Sequence, residues 1–208
     1  MRKPVTPEDI DAVVSSAITM LRPAMDLDWH VPAGDLTWTC WETLEHTADD
    51  LFAYAMQIAP KQPPLTTHTP IAWRRLHDEG PASTIFADPT AGNAGLLQVL
   101  DGCATLLIAV VRMTPDHVRA HHVFGVSDPE GFAAMGVVEV LVHSHDVAIG
   151  LGLKWTPPAD VCDRVLRRLF PNAPTETDPW ATMLWATGRG SLPGHAALES
   201  WQWDGTRR

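Results

Sequence analysis

The chain has no run of Lys or Arg longer than two residues, and its 15 basic side chains stand against 25 acidic ones, for a formal charge of −10. Nothing in it replaces counterions along a phosphate backbone, so a nucleic-acid partner is not expected. It has only three cysteines, Cys40, Cys103 and Cys162, far apart and odd in number. They offer no C-x-x-C pair and no disulfide framework, which points to a reducing compartment. No basic or His-containing motif stands beside them to activate a thiol, so they read as small buried apolar residues. There is no Gly-rich nucleotide loop. No serine sits in a G-x-S-x-G elbow, so a hydrolase triad has no support. The basic start Met1-Arg2-Lys3 has no apolar stretch behind it, so a signal peptide is not expected. The most apolar segment, Leu96 to Val111, is interrupted by Gln98, Asp101 and Gly102 and is short for a membrane span. A cytoplasmic location without membrane contact follows as the expectation.

What is present is helical periodicity. Thr6-Pro7-Glu8-Asp9 is an N-terminal signal, and Ile10, Val13, Val14, Ala17 and Leu21 repeat at helical spacing up to Pro23. Thr39 and Glu42 form a capping box for a second helix that ends before Pro60. Residues 60–92 carry six prolines and two glycines. They read as a long connection, with a small helix at 71–77 and an extended piece at 84–86. Asn93 to Met113 is apolar almost all round and is expected at the centre of a bundle. Asp128-Pro129-Glu130 opens a fourth helix that Gly150 and Gly152 close. Two shorter patterns, 159–170 and 179–187, follow. Arg164, Arg167 and Arg168 read as a solvated face of the first. Trp201 and Trp203 read as packing anchors of an irregular tail. The expectation is an all-α protein: a four-helix bundle over 1–152 and a helical extension over 153–208 packed on it.

One segment carries chemistry. In Gly136-Val-Val-Glu-Val-Leu-Val-His-Ser-His-Asp-Val-Ala-Ile-Gly150, Glu139 and His143 are four apart and share a helix face, which Asp146 continues. The other positions are largely apolar. Polar groups unpaired in a core cost several kcal/mol, so this stripe faces something wet or something bound. Imidazole and carboxylate both suit zinc, nickel or iron. His46, on the second helix, is the best third ligand. Three ligands leave an open position, the catalytic arrangement. On spacing alone, a Glu–His surface pair on the bundle exterior explains the same residues. His145 points away from His143 and reads as a packing residue. His121 and His122 read as surface or pocket rim.

Trp41 to Asp50, Glu139 to Ala148, and Trp185-Ala-Thr-Gly-Arg189 with Leu192-Pro-Gly194 carry a resemblance. The chain resembles the metal-binding helical bundles of the mycothiol-dependent maleylpyruvate isomerase family, a branch of the DinB-like four-helix bundles. The likeness spans most of the chain and is weakest over 60–92. It implies one divalent metal held by His46, Glu139 and His143, and chemistry that uses a small thiol such as mycothiol. The isomerase carries a separate α/β domain after its bundle, whereas here only helices and a tail follow. What the resemblance implies best is therefore a reaction class, isomerisation or S-transfer on a small electrophile. No catalytic or thiol-binding residue is assigned. Asp50 and Asp146 are candidates to orient the ligand histidines. Arg112, Arg119 and Arg189 are candidates to hold a carboxylate substrate. A non-catalytic metal-bearing bundle that binds a ligand, and a metal-dependent hydrolase or lyase that needs no thiol, are the alternatives. A monomer or a homodimer fits each.

Overall fold

Six helices make up most of the regular structure of the computed structural model, which describes residues 2–198 and 200–206. No strand forms among the described residues; three isolated bridges, such as Arg74 with Ser83, are the extended pairing found there. The domain boundaries drawn from the sequence include Met1, Glu199, Arg207 and Arg208, which lie outside the described residues.

Helix α1 (Pro7–Leu21) starts at Thr6, where Thr6 and Asp9 form a reciprocal capping box. It runs on into a short 3-10 turn, Arg22–Ala24, that absorbs Pro23. Helix α2 (Cys40–Ile58) starts from the Thr39–Glu42 box, with the Thr39 hydroxyl accepting from the Glu42 N–H. Helix α3 (Gly92–Met113) and helix α4 (Pro129–Gly150) follow, α4 being capped by the Asp128 carboxylate on the Gly131 N–H. Helices α5 (Ala159–Leu169) and α6 (Pro179–Ala186) complete the set. Helices α1 to α4 pack as a bundle, and α5 rests on α4 and α6.

The centre of the bundle is α4, not α3. Helix α4 is buried from Gly131 to Ser144 without a break, because α1, α2 and α5 all pack on it. Helix α3 buries one stripe, Leu96, Leu100, Cys103, Ala104, Leu107 and Val111, and leaves Gln98, Asp101, Thr105 and Arg112 outside. Small residues made α3 look apolar all round, but small residues tolerate exposure as well as burial. Pro89–Met113 and Pro129–Gly150 are both long and apolar enough by composition to cross a membrane; within α4, 89% of that apolar window is buried inside the protein.

The connection over 60–92 has no helix at 71–77; its helical turn is Pro89–Ala91. Carboxylates of α2 hold it down. Asp49 accepts from the N–H groups of Thr84 (2.8 Å) and Ile85 (2.9 Å), and Glu45 accepts from the N–H of Ala87 (2.9 Å). Burial outweighs that bond and raises the Glu45 carboxyl above its ordinary pKa. Gln57 grips the same connection further along, through Thr69 N–H and Thr67 C=O.

Trp155, Val161, Cys162, Val165, Leu169, Met183 and Trp203 of the extension belong to one continuous core with the bundle. Trp155 donates its indole N–H to the Leu141 carbonyl of α4 (3.1 Å). Arg168 is fully buried, contrary to the solvated face expected for it. Its guanidinium donates to Asp128 (3.0 Å), Ser127 (3.2 Å) and the carbonyls of Gly205 (3.3 Å) and Thr206 (2.9 Å). It thus ties α5, the cap of α4 and the tail into one knot. Gly131 makes room for it, since a Cβ there would overlap the Arg168 guanidinium and the Ser127 hydroxyl. Arg164 is partly buried between Asp9 and its exposed i,i+4 partner Asp160, and Arg167 with Asp163 is the one i,i+4 pair of the three arginines exposed at both ends. Of the tail tryptophans, Trp203 is buried while Trp201 is 37% exposed.

Removing one partner of a buried ion pair strands the other, at a cost of about 3–5 kcal/mol. We expect Arg168→Met to lower unfolding stability by that amount and Arg167→Met by less than about 1 kcal/mol, as for an exposed pair. Urea melts of the two variants check this. Burial opposes the Asp128 charge, but the Gly131 N–H and Arg168 outweigh it and hold the carboxyl below its usual 3.8. Its contribution is therefore complete at neutral pH and is lost as pH falls below that value. The stability gap between wild type and Asp128→Asn should narrow in acid.

Candidate metal centre

Helices α2 and α4 each present two polar side chains at i,i+4, His46 with Asp50 and Glu139 with His143, on the faces they turn toward each other. The His46 and His143 rings meet edge to face with centroids 5.5 Å apart. One ligand atom from each of His46, Asp50 and His143 lies within 4.8 Å of the others, so this cluster could hold a metal ion. Glu139, the third ligand expected from the sequence, stands against the cluster: its Oε2 is 3.3 Å from His143 Nε2, and its Oε1 accepts from the Tyr54 hydroxyl at 3.0 Å. Asp50, expected only to orient a histidine, is in the cluster itself. Tyr54 went unnoticed in the sequence, although His46, Asp50 and Tyr54 fall at successive steps of four and so mark one stripe of α2. Trp38, from the loop before α2, places its ring 4.8 Å from His46 and 6.4 Å from His143.

The polar atoms are short of partners. His46 Nδ1 and Asp50 Oδ2 are buried and hydrogen-bond to nothing among the described residues. His46 Nε2 is 3.2 Å from Asp50 Oδ2, but not in hydrogen-bonding geometry. Burial, and then the charge of His143, lower the His46 pKa to about 4 against the pull of Glu139, so its ring is neutral at neutral pH and keeps a lone pair to offer. Burial first, then Glu139 and Asp49, push Asp50 well above the usual carboxylate range. These are the marks of a donor set that fits a cation: two imidazoles and carboxylates, desolvated, and short of hydrogen-bond donors.

His143 is the most tightly positioned member. Its Nδ1 is 3.2 Å from Asp146 Oδ2. Asp146 in turn is gripped by Arg189, with Nε at 3.0 and 3.1 Å from its two oxygens and a terminal nitrogen at 2.8 Å. Burial works against the Asp146 charge, but His143 and Arg189 outweigh it and hold its pKa below the ordinary value. An ionised Asp146 takes the Nδ1–H of His143 and leaves Nε2 facing Glu139. A neutral ring would then set a lone pair against a carboxylate oxygen. Either a proton or a cation has to lie there. Burial disfavours the charged ring, yet Asp146 and Glu139 together raise the His143 pKa.

The remaining candidates are placed elsewhere. Arg112 pairs with Glu8 on α1 at an exposed site. Arg119 donates to the backbone carbonyls of Asp116 and Val118. Neither is brought to the cluster, and Arg189 is spent on Asp146, so none of the three stands ready for a carboxylate. His145 packs against Trp180, with ring centroids 5.6 Å apart, as a packing residue should. His121 is half-buried and His122 is buried, and both line one pocket, as a pocket reading expects; His122 also stacks on Trp203 at 5.5 Å, and its Nδ1 accepts from the Phe124 N–H. The three cysteines are buried and free, and burial raises their pKa values to about 11 for Cys40 and Cys103 and about 12 for Cys162.

No protein-family model, no curated protein and no solved structure matches the chain. Geometry therefore carries the reading of a metal site, and the resemblance alone carries the thiol chemistry.

Residues that hold a ligand histidine in place are worth about 10–100-fold in metal affinity. Asp146→Asn and Arg189→Ala should each weaken zinc binding by that factor, read against a competing chelator, with far-UV circular dichroism unchanged. The cysteines should react with a thiol reagent at pH 8 only at the rate of global opening, and rapidly once the protein is unfolded.

Proposed function

We propose that this chain is a metal-dependent enzyme of the maleylpyruvate isomerase-like kind, working on a small electrophilic molecule with the help of a small thiol such as mycothiol. The observation that supports it is the pair of buried, unpartnered ligand atoms, His46 Nδ1 and Asp50 Oδ2, beside a His143 already locked by Asp146 and Arg189. His46 and His143 would hold the metal, with Asp50 and Glu139 as the carboxylates within reach. Zinc, nickel and iron all suit that set, with zinc the first choice. What a divalent cation supplies, when bound, is a thiol held as thiolate at neutral pH, where a free thiol has a pKa near 8.5.

The chain's own residues do the rest. Asp146 holds the His143 proton at Nδ1 and so aims Nε2. Tyr54 fixes one oxygen of Glu139 and leaves the other facing His143 Nε2. Trp38 covers the two imidazoles and keeps water from their apolar flank. No cysteine of the chain provides the thiol, because all three are buried with raised pKa values. The thiol has to be a separate molecule.

Metal analysis of protein purified without a nickel column should give about one equivalent of a divalent metal per chain. His46→Ala and His143→Ala should each lose it with helix content retained. Retention in both would show that the ligands lie elsewhere. A cobalt-substituted sample should change its visible spectrum when a small thiol is added. No change across a panel of thiols would remove the thiol and leave a metal-dependent hydrolase or lyase.

A further inference from the structure

A cavity of about 110 Å³ opens beside the cluster, with Asp50 and Tyr54 as part of its wall. Its floor is apolar and buried, from the rings of Phe132 and Tyr54, which meet edge to face at 6.0 Å. Its mouth is made of His68, His121 and Trp73. The His68 ring meets His121 edge to face at 5.1 Å and Trp73 at 6.4 Å. Trp73 is 43% exposed, an indole left at the rim with a face to offer.

The polar groups of this cavity sort by what they can still do. The Tyr54 hydroxyl donates its hydrogen bond to Glu139, so it offers only lone pairs to the cavity. The Gln57 amide is engaged at both ends by Thr67 and Thr69. Asp50 Oδ2 has no hydrogen-bond partner. The side chains of His68 and His121 make no hydrogen bond among the described residues. Among the described residues no Lys or Arg lines the cavity. Burial and the neighbouring His121 keep His68 below its ordinary pKa. A neutral imidazole brings one donor and one acceptor. The volume decides size. Benzene fills an apolar cavity of about 150 Å³, so about one ring fits here, with part of it projecting through the mouth.

We propose that this cavity is the substrate subsite of the site described above, and that it takes a compact, flat, uncharged molecule of about one ring bearing a hydroxyl or carbonyl group, in preference to an anion. The proposal rests on the metal-site reading only for calling the ligand a substrate. The cavity and its selectivity stand on their own lining. The flat body lies on Phe132 and against Trp73, and its polar group reaches His68 and His121 at the mouth. A dicarboxylate finds no Lys or Arg among the described residues of the lining.

The test uses phenol, benzoate and fumarate as probes of the full chain, both as purified and after removal of metal with a chelator. The readout is the imidazole Cε1–H signals of His68 and His121, assigned from His68→Gln and His121→Gln. We expect phenol to shift both signals saturably, benzoate to bind at least tenfold more weakly, and fumarate to give no shift. Trp73→Ala, at an exposed position that leaves the fold intact, should weaken phenol at least fivefold. Tighter binding of benzoate or fumarate, shifts that leave out both histidines, or no response to phenol would overturn the proposal. Because the titration is read with and without metal, a failure here leaves the metal content untouched. A chain that binds phenol but holds no metal would instead sink the metal reading alone.

Discussion

The structure turns on the cost of placing four titratable side chains between two helices of a bundle. His46 and Asp50 on α2 and Glu139 and His143 on α4 are withdrawn from most of their water, and a buried charge without a partner costs several kcal/mol. Part of that cost is met inside the protein. Tyr54 donates to Glu139, and Asp146 takes the proton side of His143. Part is not met: His46 Nδ1 and Asp50 Oδ2 have no partner. Core positions of a helical bundle are easily filled by Leu or Val, and such fillings are often more stable than a buried polar cluster. A cluster kept polar and left incomplete is therefore better explained by something it binds than by its contribution to folding.

The rest of the chain holds that cluster still. Helix α4 is wrapped by α1, α2 and α5, which makes it the most rigid element available for Glu139 and His143. The loop before α2 closes over its end: a Cβ on Gly150 would overlap the Pro32 carbonyl and press on Cys40, so the glycine permits that close approach. Carboxylates of α2 hold the long connection along the side of the bundle, so that residues as far from His46 as His68 and Trp73 come to line a cavity that shares Asp50 with the cluster. Both rigid helices and pinned loops serve one end. A ligand set has to be held within about half an ångström to be selective for its ion and substrate.

Helix boundaries were legible in the sequence because caps and apolar spacing are local. Thr6, Thr39 and Asp128 each stand at the position their chemistry requires. The approach of His46 to His143 was legible from the i,i+4 spacing of Glu139 and His143 together with a family resemblance; the place of Asp50 in the cluster, where Glu139 was expected, was not. What the sequence did not show is non-local. The burial of Arg168 depends on Ser127, Asp128 and the carbonyls of residues 205 and 206, none of them near it in the chain. The capture of Asp146 by Arg189 likewise joins positions 43 residues apart. A charged residue in an amphipathic helix looks the same in sequence whether it meets water or a distant carboxylate. The order of burial between α3 and α4 was also hidden. Both are apolar, and only the number of elements packed on each separates them.

The tail beyond α4 has more than a packing role, and the two arginines show why. Arg168 anchors it at the start of α4 through Asp128, and Arg189 anchors it near the end of α4 through Asp146. The second anchor touches a side chain that touches His143. Docking of the tail and the orientation of that imidazole are thus one event: without Arg189, Asp146 would keep a buried charge that only His143 could answer, and the raised His143 pKa would rise further as the ring took up a full proton to do so. A protonated imidazole has no lone pair for a metal. Arg189 therefore supports the ligand state of His143 by supplying the positive charge that Asp146 would otherwise draw from the ring. That is a physical reason for a guanidinium from the extension to reach back to the bundle.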